Sequence, residues 1–205
     1  MTLWESALLG IVQGVFMFVP VSSTSHLALT QQWLLGGGSQ IPSPDSPEMI
    51  LFDIVVHVGT LVSIVVVMHS SLFALIRGIA SDARTAVSRR SVAGLPYLRL
   101  ALLGVVTVAV TGVLGLGIRA FGTGAFATPW VIALALLTTG AILWWTDKAG
   151  PQWRSAGQIT VGVAIAIGLA QAFALLPGLS RSGLTIAMAL ALGLHRKIAA
   201  EYSFF

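Results

Sequence analysis

The 205-residue chain has no cysteine. That excludes a disulfide framework, a thiol nucleophile and thiolate-ligated zinc together. Charge is nearly as scarce. Only 9% of residues are charged, against about 25% in soluble domains, while 56% are hydrophobic and the mean hydropathy is +0.93. A soluble globular class is thereby excluded. Residues 1–20 hold no Lys or Arg and include Glu5, so the basic start of a secretory signal peptide is missing and the segment is kept in the mature protein. The four histidines show no His-Glu-x-x-His spacing, which removes the commonest zinc-hydrolase signature. The net charge of +4 and pI near 10.4 do not call for nucleic acid, because basic loops on a membrane protein account for them.

What remains is apolar sequence in long runs. A helix needs roughly 20 apolar residues to cross a bilayer, and segments 50–68, 98–118 and 129–146 meet that length. Two further apolar regions, 3–30 and 157–194, are each interrupted near the middle by a polar cluster that follows a proline: Pro20-Val-Ser-Ser-Thr-Ser-His26 and Pro177-Gly-Leu-Ser-Arg-Ser-Gly183. Residues 36–48 are rich in Gly, Pro and Ser and read as an exposed loop. Residues 77–97 carry Arg77, Arg84, Arg89, Arg90 and Asp82 and read as a polar connection, partly helical.

The basic residues order these segments across the membrane. Arg77, Arg84, Arg89, Arg90 and Arg99 lie between the first two spans, Lys148 and Arg154 follow the third, and Arg196 and Lys197 follow the second interrupted region. With all of them cytoplasmic, loop 31–49, which carries Asp45 and Glu48, falls outside, as does loop 119–128 with Arg119. The region 157–194 then has basic residues on one side at both ends, so it dips in and returns. Region 3–30 dips from the opposite side by analogy.

The two dips resemble each other. Gly10-x-x-Gln13 precedes Pro20-x-x-Ser23-x-Ser25, and Gly168-x-x-Gln171 precedes Pro177-x-x-Ser180-x-Ser182. The expected architecture is therefore an all-α polytopic membrane protein with inverted-topology repeats and two re-entrant helix pairs. It forms a single membrane domain over 1–205. The first repeat, 1–146, has a re-entrant pair plus three spans, and the second, 147–205, is incomplete. Such repeats place a polar site near the membrane midplane. Chance similarity of two small-residue helices is the alternative. Only Leu184 to Leu194 returns after the second motif before a new helix begins at His195, so a C-terminal truncation is expected.

A charged residue inside a bilayer is expensive and marks a functional site by default. Arg181 is the clearest case. Its planar fork suits phosphate oxygens, Ser180 and Ser182 add hydroxyls, and a helix starting near Ser182 or Gly183 would turn free N–H groups toward an anion. The alternative is an Arg181 paired to a buried carboxylate. In the first cluster Ser22, Ser23, Thr24 and Ser25 supply hydroxyls and His26 an imidazole, the minimal pairing for an activated nucleophile or proton transfer. Asp53 and His57 share a helix face. Asp53 and Glu201 are the carboxylates available to neutralise Arg181 or hold a divalent cation. His69 and His195 sit at helix ends and read as solvated.

The stretches GIVQGVFMFVPVSSTSHLAL, FDIVVHVGTLVSIVVV, TTGAILWW and LLPGLSRSGLTIAMALALGLHRKIAAEYSFF resemble the undecaprenyl-diphosphate phosphatases of the bacitracin-resistance type, in order and along essentially the whole chain. The resemblance implies a multi-pass hydrolase of the bacterial inner membrane. It would remove the terminal phosphate of a C55 polyprenyl diphosphate on the outer side, recycling the lipid carrier of peptidoglycan synthesis. The partners implied are that lipid and the surrounding membrane lipids, with a homodimer as an added expectation and no nucleic acid. By position, the resemblance makes Ser23 a nucleophile or phosphate ligand, His26 the proton carrier and Arg181 the clamp on the diphosphate, with Ser22, Thr24, Ser180, Ser182 and Gln13 as binding groups. It implies further helices beyond Phe205. It also implies Mg²⁺ or Ca²⁺, tied to a pattern of Glu or Gln, three residues, then Glu before the first motif, which Gln13 fits and Met17 does not. A thioether does not suit a hard cation. Ser25 replaces the family's glycine before His26. A non-catalytic lipid-phosphate binder or translocase is the second reading, since inverted repeats are also a transporter scaffold, and an inactive incomplete chain is the third.

Overall fold

A computed structural model describes residues 1–43, 46–89, 94–120, 128–148, 150, 153–176 and 178–204. Asp45, Arg90, Pro177 and Phe205 lie outside the described residues, as do the side chains of Arg89 and Arg119. The order is α1 (Leu3–Phe18), α2 (Ser23–Gly36), α3 (Pro47–Val67), α4 (His69–Arg89), α5 (Pro96–Ala120), α6 (Pro129–Lys148), a 3₁₀ turn (Ala156–Gln158), α7 (Val161–Phe173), α8 (Arg181–Ala191) and α9 (Arg196–Phe204). Among the described residues there is no β-strand, only one parallel bridge between Arg154 and Leu194. The expected all-α membrane architecture is what forms.

Three helices are long and apolar enough to cross a membrane: Pro47–Val67, Pro96–Ile118 and Pro129–Lys148. These are the three spans read from hydropathy, each longer by a few residues at one or both ends. At about 1.5 Å per residue, the 20 residues of α6 reach about 30 Å, one hydrocarbon core. Their apolar side chains face outward: Leu51, Ile54, Val58 and Val62 of α3 and Leu134 and Leu137 of α6 are all exposed. Such a surface suits lipid rather than water. The 16-residue α1 and 11-residue α8 are too short to span, at about 24 and 16 Å.

Local chemistry explains the helix limits. Thr2 and Glu5 form a reciprocal capping box on α1. Ser46 caps α3, whose first residue is Pro47. Gly193, with φ +84°, ends α8 in a Schellman turn in which the Leu194 N–H reaches the Ala189 carbonyl at 3.0 Å. The polar stretch after Arg77 is helical as far as Arg89. It is the second half of α4, and the Asp82 carboxylate accepts from the N–H groups of Tyr97 and Leu98 at 2.8 and 3.0 Å to start α5.

The core lies between α5, α7, α8 and α9, around Leu103, Ile159, Ile167, Ala189, Leu190 and Leu194. α5 and α7 approach closely because Gly168 has no side chain; a Cβ there would sit 2.8 Å from the Thr107 carbonyl. Thr107 and Thr111 use that proximity to donate to the carbonyls of Ala164 and Gly168, both at 3.1 Å. Small residues with interhelical hydroxyl bonds are how helices associate without a hydrophobic drive.

Candidate active site

Four residues separate α1 from α2, and the turn is abrupt. Ser22, the residue before α2, takes the left-handed conformation with φ 65°. It is the one non-glycine residue to do so among the described residues, at a cost of about 1 kcal/mol. Its side chain does not cap the helix. Instead its Oγ lies 2.6 Å from the Oγ of buried Ser25. The first turn of α2 is thus left with N–H groups that no side chain satisfies. Ser23 and Thr24 stand on that turn, half-buried and exposed respectively.

His26 is fixed in the same turn. Its Nδ1 lies 2.9 Å from the Ser22 carbonyl. A carbonyl only accepts, so Nδ1 carries the proton and Nε2 presents a lone pair. Phe16 of α1 stacks on the ring at 3.9 Å and 15°. The imidazole borders a cavity of about 600 Å³ shared with Leu136, Gly140, Ala141 and Trp144 of α6.

The second turn is built differently. Gly178, with φ +93°, abuts α6 where a Cβ would meet that of Ala135 at 2.6 Å. Fully buried Ser180 has an extended backbone, and its Oγ accepts from the Gly183 N–H at 3.1 Å. Its own N–H donates to Thr139 Oγ1 of α6 at 3.3 Å. The helix therefore starts at Arg181 rather than at Ser182 or Gly183, and the Gly183 N–H expected to be free is capped. Ser182 Oγ lies 3.4 Å from Ser180 Oγ.

The two motifs meet at Gly183. A Cβ there would lie 2.6 Å from the Pro20 carbonyl and 2.7 Å from Thr139 Cγ2. The register of the repeat also differs by one residue from the proline-based pairing. Ser22 and Ser180 both precede a helix, and Ser23 and Arg181 are both first residues. The same offset pairs Gln13 with Gln171.

Arg181 is exposed and makes no hydrogen bond or ion pair among the described residues. It lines a second cavity of about 710 Å³ together with Gln171, Thr107, Glu201 and Tyr202. The structural alternative of a guanidinium paired to Asp53 or Glu201 does not form. Ser22, Ser25, His26, Ser180 and Gly183 are brought together, whereas Arg181 and His26 open into different cavities.

Gln13 lies in a separate buried chain. His57 gives its Nδ1 proton to the Asp53 carbonyl at 2.7 Å and accepts from Gln13 Nε2 at 3.3 Å, while Gln31 Nε2 donates to Asp53 Oδ1 at 3.1 Å. Gln13 is fully buried and its Oε1 has no partner among the described residues. Glu201 accepts weakly from Ser71 Oγ at 3.4 Å and lies 4.0 Å from Lys197 Nζ. Among the described residues no three His, Asp or Glu side chains converge. The donor set is thus short of what a divalent cation needs. Asp53 and the unpartnered Gln13 Oε1 are its hard oxygens, and Met17 contributes none.

Sequence reasoning missed Thr139, which joins α6 to the second motif, Phe16, which orients His26, and Gln31, which holds Asp53. For Thr139 the signal was a hydroxyl pair in an otherwise apolar span. For Phe16 and Gln31 there was no local signal, since their partners come from other helices.

The family model described as Bacitracin resistance protein BacA matches residues 6–205. An undecaprenyl-diphosphatase of Halorhodospira halophila is 53% identical over 206 residues, covering 100% of this chain and 72% of the relative. One from Alkalilimnicola ehrlichii is 53% identical with 100% and 71% covered, and one from Desulfatibacillum aliphaticivorans 36% identical with 98% and 71% covered.

Proposed function

The chain belongs to the Bacitracin resistance protein BacA family, and on that premise we propose that it is an undecaprenyl-diphosphatase. It hydrolyses a polyprenyl diphosphate to the monophosphate and inorganic phosphate, returning the lipid carrier to cell-wall synthesis. The observation that carries this reading is the contact between Gly183 and the Pro20 carbonyl. It sets the hydroxyl and imidazole cluster beside the first turn of the helix that bears Arg181.

The terminal phosphate sits against the uncapped first turn of α2, where N–H groups and Ser23 donate to its oxygens. Arg181 has no partner among the described residues and turns from its cavity to neutralise the charge that develops on the diphosphate. His26 Nε2 takes the proton of the attacking hydroxyl, water or Ser23, and delivers it to the departing group. The bond between the terminal phosphorus and the bridging oxygen breaks. With Ser23 as the attacking group, the phosphoryl passes to its Oγ and water, deprotonated by His26, then hydrolyses the phosphoserine to release inorganic phosphate; trapping a phosphoserine at residue 23 would identify this route. Ser22, Thr24, Ser180 and Ser182 shape the pocket. The described donor set is too short to hold Mg²⁺ or Ca²⁺, and no step is assigned to a cation.

The two short hairpins, α1–α2 and α7–α8, are read as re-entrant arms of inverted repeats 1–146 and 147–205. Their site opens to the outer side of the bacterial inner membrane, and a homodimer is the expected assembly. Cysteine labelling in intact cells and crosslinking in membranes test the two points.

The central test is phosphate release from a C55 or C15 prenyl diphosphate, with and without Mg²⁺, Ca²⁺ or EDTA. Release that is lost in Arg181→Ala and His26→Ala is expected. No release from the folded chain, with lipid flipping in its place, would transfer the reading to a translocase.

A further inference from the structure

Resting on the phosphatase reading, we infer that the cavity beside His26 receives the isoprene units next to the diphosphate and that Gly140 gauges the chain that enters. The cavity holds about 600 Å³, within the range of small-molecule sites. His26 is its single titratable lining residue; its other walls are apolar, including Phe16, Leu136, Leu137, Ala141 and Trp144. A polar reacting group at the end of an apolar trough is what an amphiphile with a charged head requires.

The trough follows one face of α6. Residues 136, 137, 140, 141 and 144 recur at three- and four-residue spacing, and Leu136 to Trp144 covers about 12 Å. Its outer edge is exposed, Leu137 by 72% and Trp144 by 64%, so a chain enters sideways from the surrounding hydrocarbon. Gly140 is not demanded by packing. A Cβ there would meet nothing within 4 Å, so a larger side chain at this position can project into the trough without a clash at its base.

The larger cavity is the poorer receptor for the chain. Beside apolar Leu100, Val105 and Val108 it sets Gln171, Arg181 and Glu201 into its walls, and hydrocarbon laid there would desolvate the Arg181 guanidinium, which has no partner among the described residues. Glu201 would also repel the anionic head. Arg181 enters the reaction by turning its side chain, without the tail following it.

The test uses the full chain in lipid nanodiscs with a farnesyl diphosphate that carries a diazirine on its first isoprene unit. Irradiation and peptide mapping are expected to place the label on residues 136–144. Gly140→Leu is expected to lower that labelling and to reduce kcat/KM for the prenyl substrate about tenfold, mainly through KM, with Gly140→Ala intermediate. Label on residues 100–108 or 198–204, or label absent from 136–144 in the unsubstituted protein, overturns the inference whatever the activity. Label on 136–144 from a chain that releases no phosphate keeps the trough and removes the phosphatase reading.

Discussion

The α1–α2 and α7–α8 turns each start a helix among apolar neighbours, and they do so by opposite means. At α8 the backbone is relaxed and the end is closed: Ser180 is extended, caps Gly183 and is itself tied to Thr139. At α2 the backbone is strained and the end is open: Ser22 is left-handed, and its hydroxyl turns to Ser25 instead of the helix. Strain in a non-glycine residue persists only where the surroundings over-determine it, and such positions cluster at functional sites. The second turn is therefore read as the mount and the first as the working surface, with the exposed Arg181 carried by the mount.

The largest effect should come from the two matched first residues. Arg181→Ala is expected to lower kcat/KM for prenyl diphosphate by 10²- to 10³-fold, about 3–4 kcal/mol in the transition state. Arg181→Lys should restore only part, because the planar fork is lost. Ser23→Ala tests whether the open end supplies more than N–H groups. Activity equal to the parent's would reduce Ser23 to a bystander and leave the backbone as the phosphate ligand.

The next contrast is between Gly183 and Ser25, which share a register position. Gly183→Ala forces a methyl against the Pro20 carbonyl and is expected to cost about 1–3 kcal/mol, read as a lowered unfolding temperature in detergent together with lost phosphate release. Ser25→Gly should cost less, since it removes a hydrogen bond worth about 1 kcal/mol. Equal losses would erase the difference between mount and surface.

A smaller contrast concerns the caps. Ser180→Ala should destabilise by about 1 kcal/mol. Ser22→Gly should be near neutral, because relief of about 1 kcal/mol of left-handed strain offsets the lost bond to Ser25. A large loss in Ser22→Gly would mean that the left-handed turn is not strained.

The smallest effect lies at the outer end of α1. The hydroxyl of Ser39 and the Thr2 N–H hold the Glu5 carboxyl below the ordinary carboxylate range. A depressed folded value gives stability that is present at neutral pH and is lost as the pH falls through it. Glu5→Gln should lower the unfolding temperature slightly at neutral pH and not in acid. A pH-independent difference would mean that the bond to Ser39, and not the charge, matters.

Much of this was legible before any coordinates. The spans were readable because a bilayer admits only helices that satisfy their own backbone, so length and hydropathy suffice. The interruptions at Pro20 and in the second motif were readable because hydroxyls and Arg181 have no place in lipid without a purpose. The polar half of α4 was legible only in part, as a partly helical connection, since Arg77, Ser81, Asp82 and Arg84 mask an amphipathic helix that packs against Tyr97 of α5. There Gly78 leaves room for the ring. The one-residue difference between the halves was readable, but the pairing of Ser22 with Ser180 was not, because prolines mark where helices cannot continue but not which serine precedes the next one. The split of His26 and Arg181 between two cavities depends on Thr139 and on α9, which no local pattern reveals.

The α7–α8 hairpin is pinned at its base as well as capped at its tip. Backbone bonds join Arg154 to Gly193 and His195 at 2.9 and 3.0 Å, and Arg99 reaches the carbonyls of Gly157 and Ile159 at 2.8 and 2.6 Å. Arg196 pairs with Asp147 beside them. In mechanical terms the hairpin is a cantilever whose fixed end lies about 20 Å of helix away from Ser180. A small rotation at residues 154 and 193 is magnified at the tip. Loosening that clasp would disturb the reaction from a distance without changing a single group that touches phosphate.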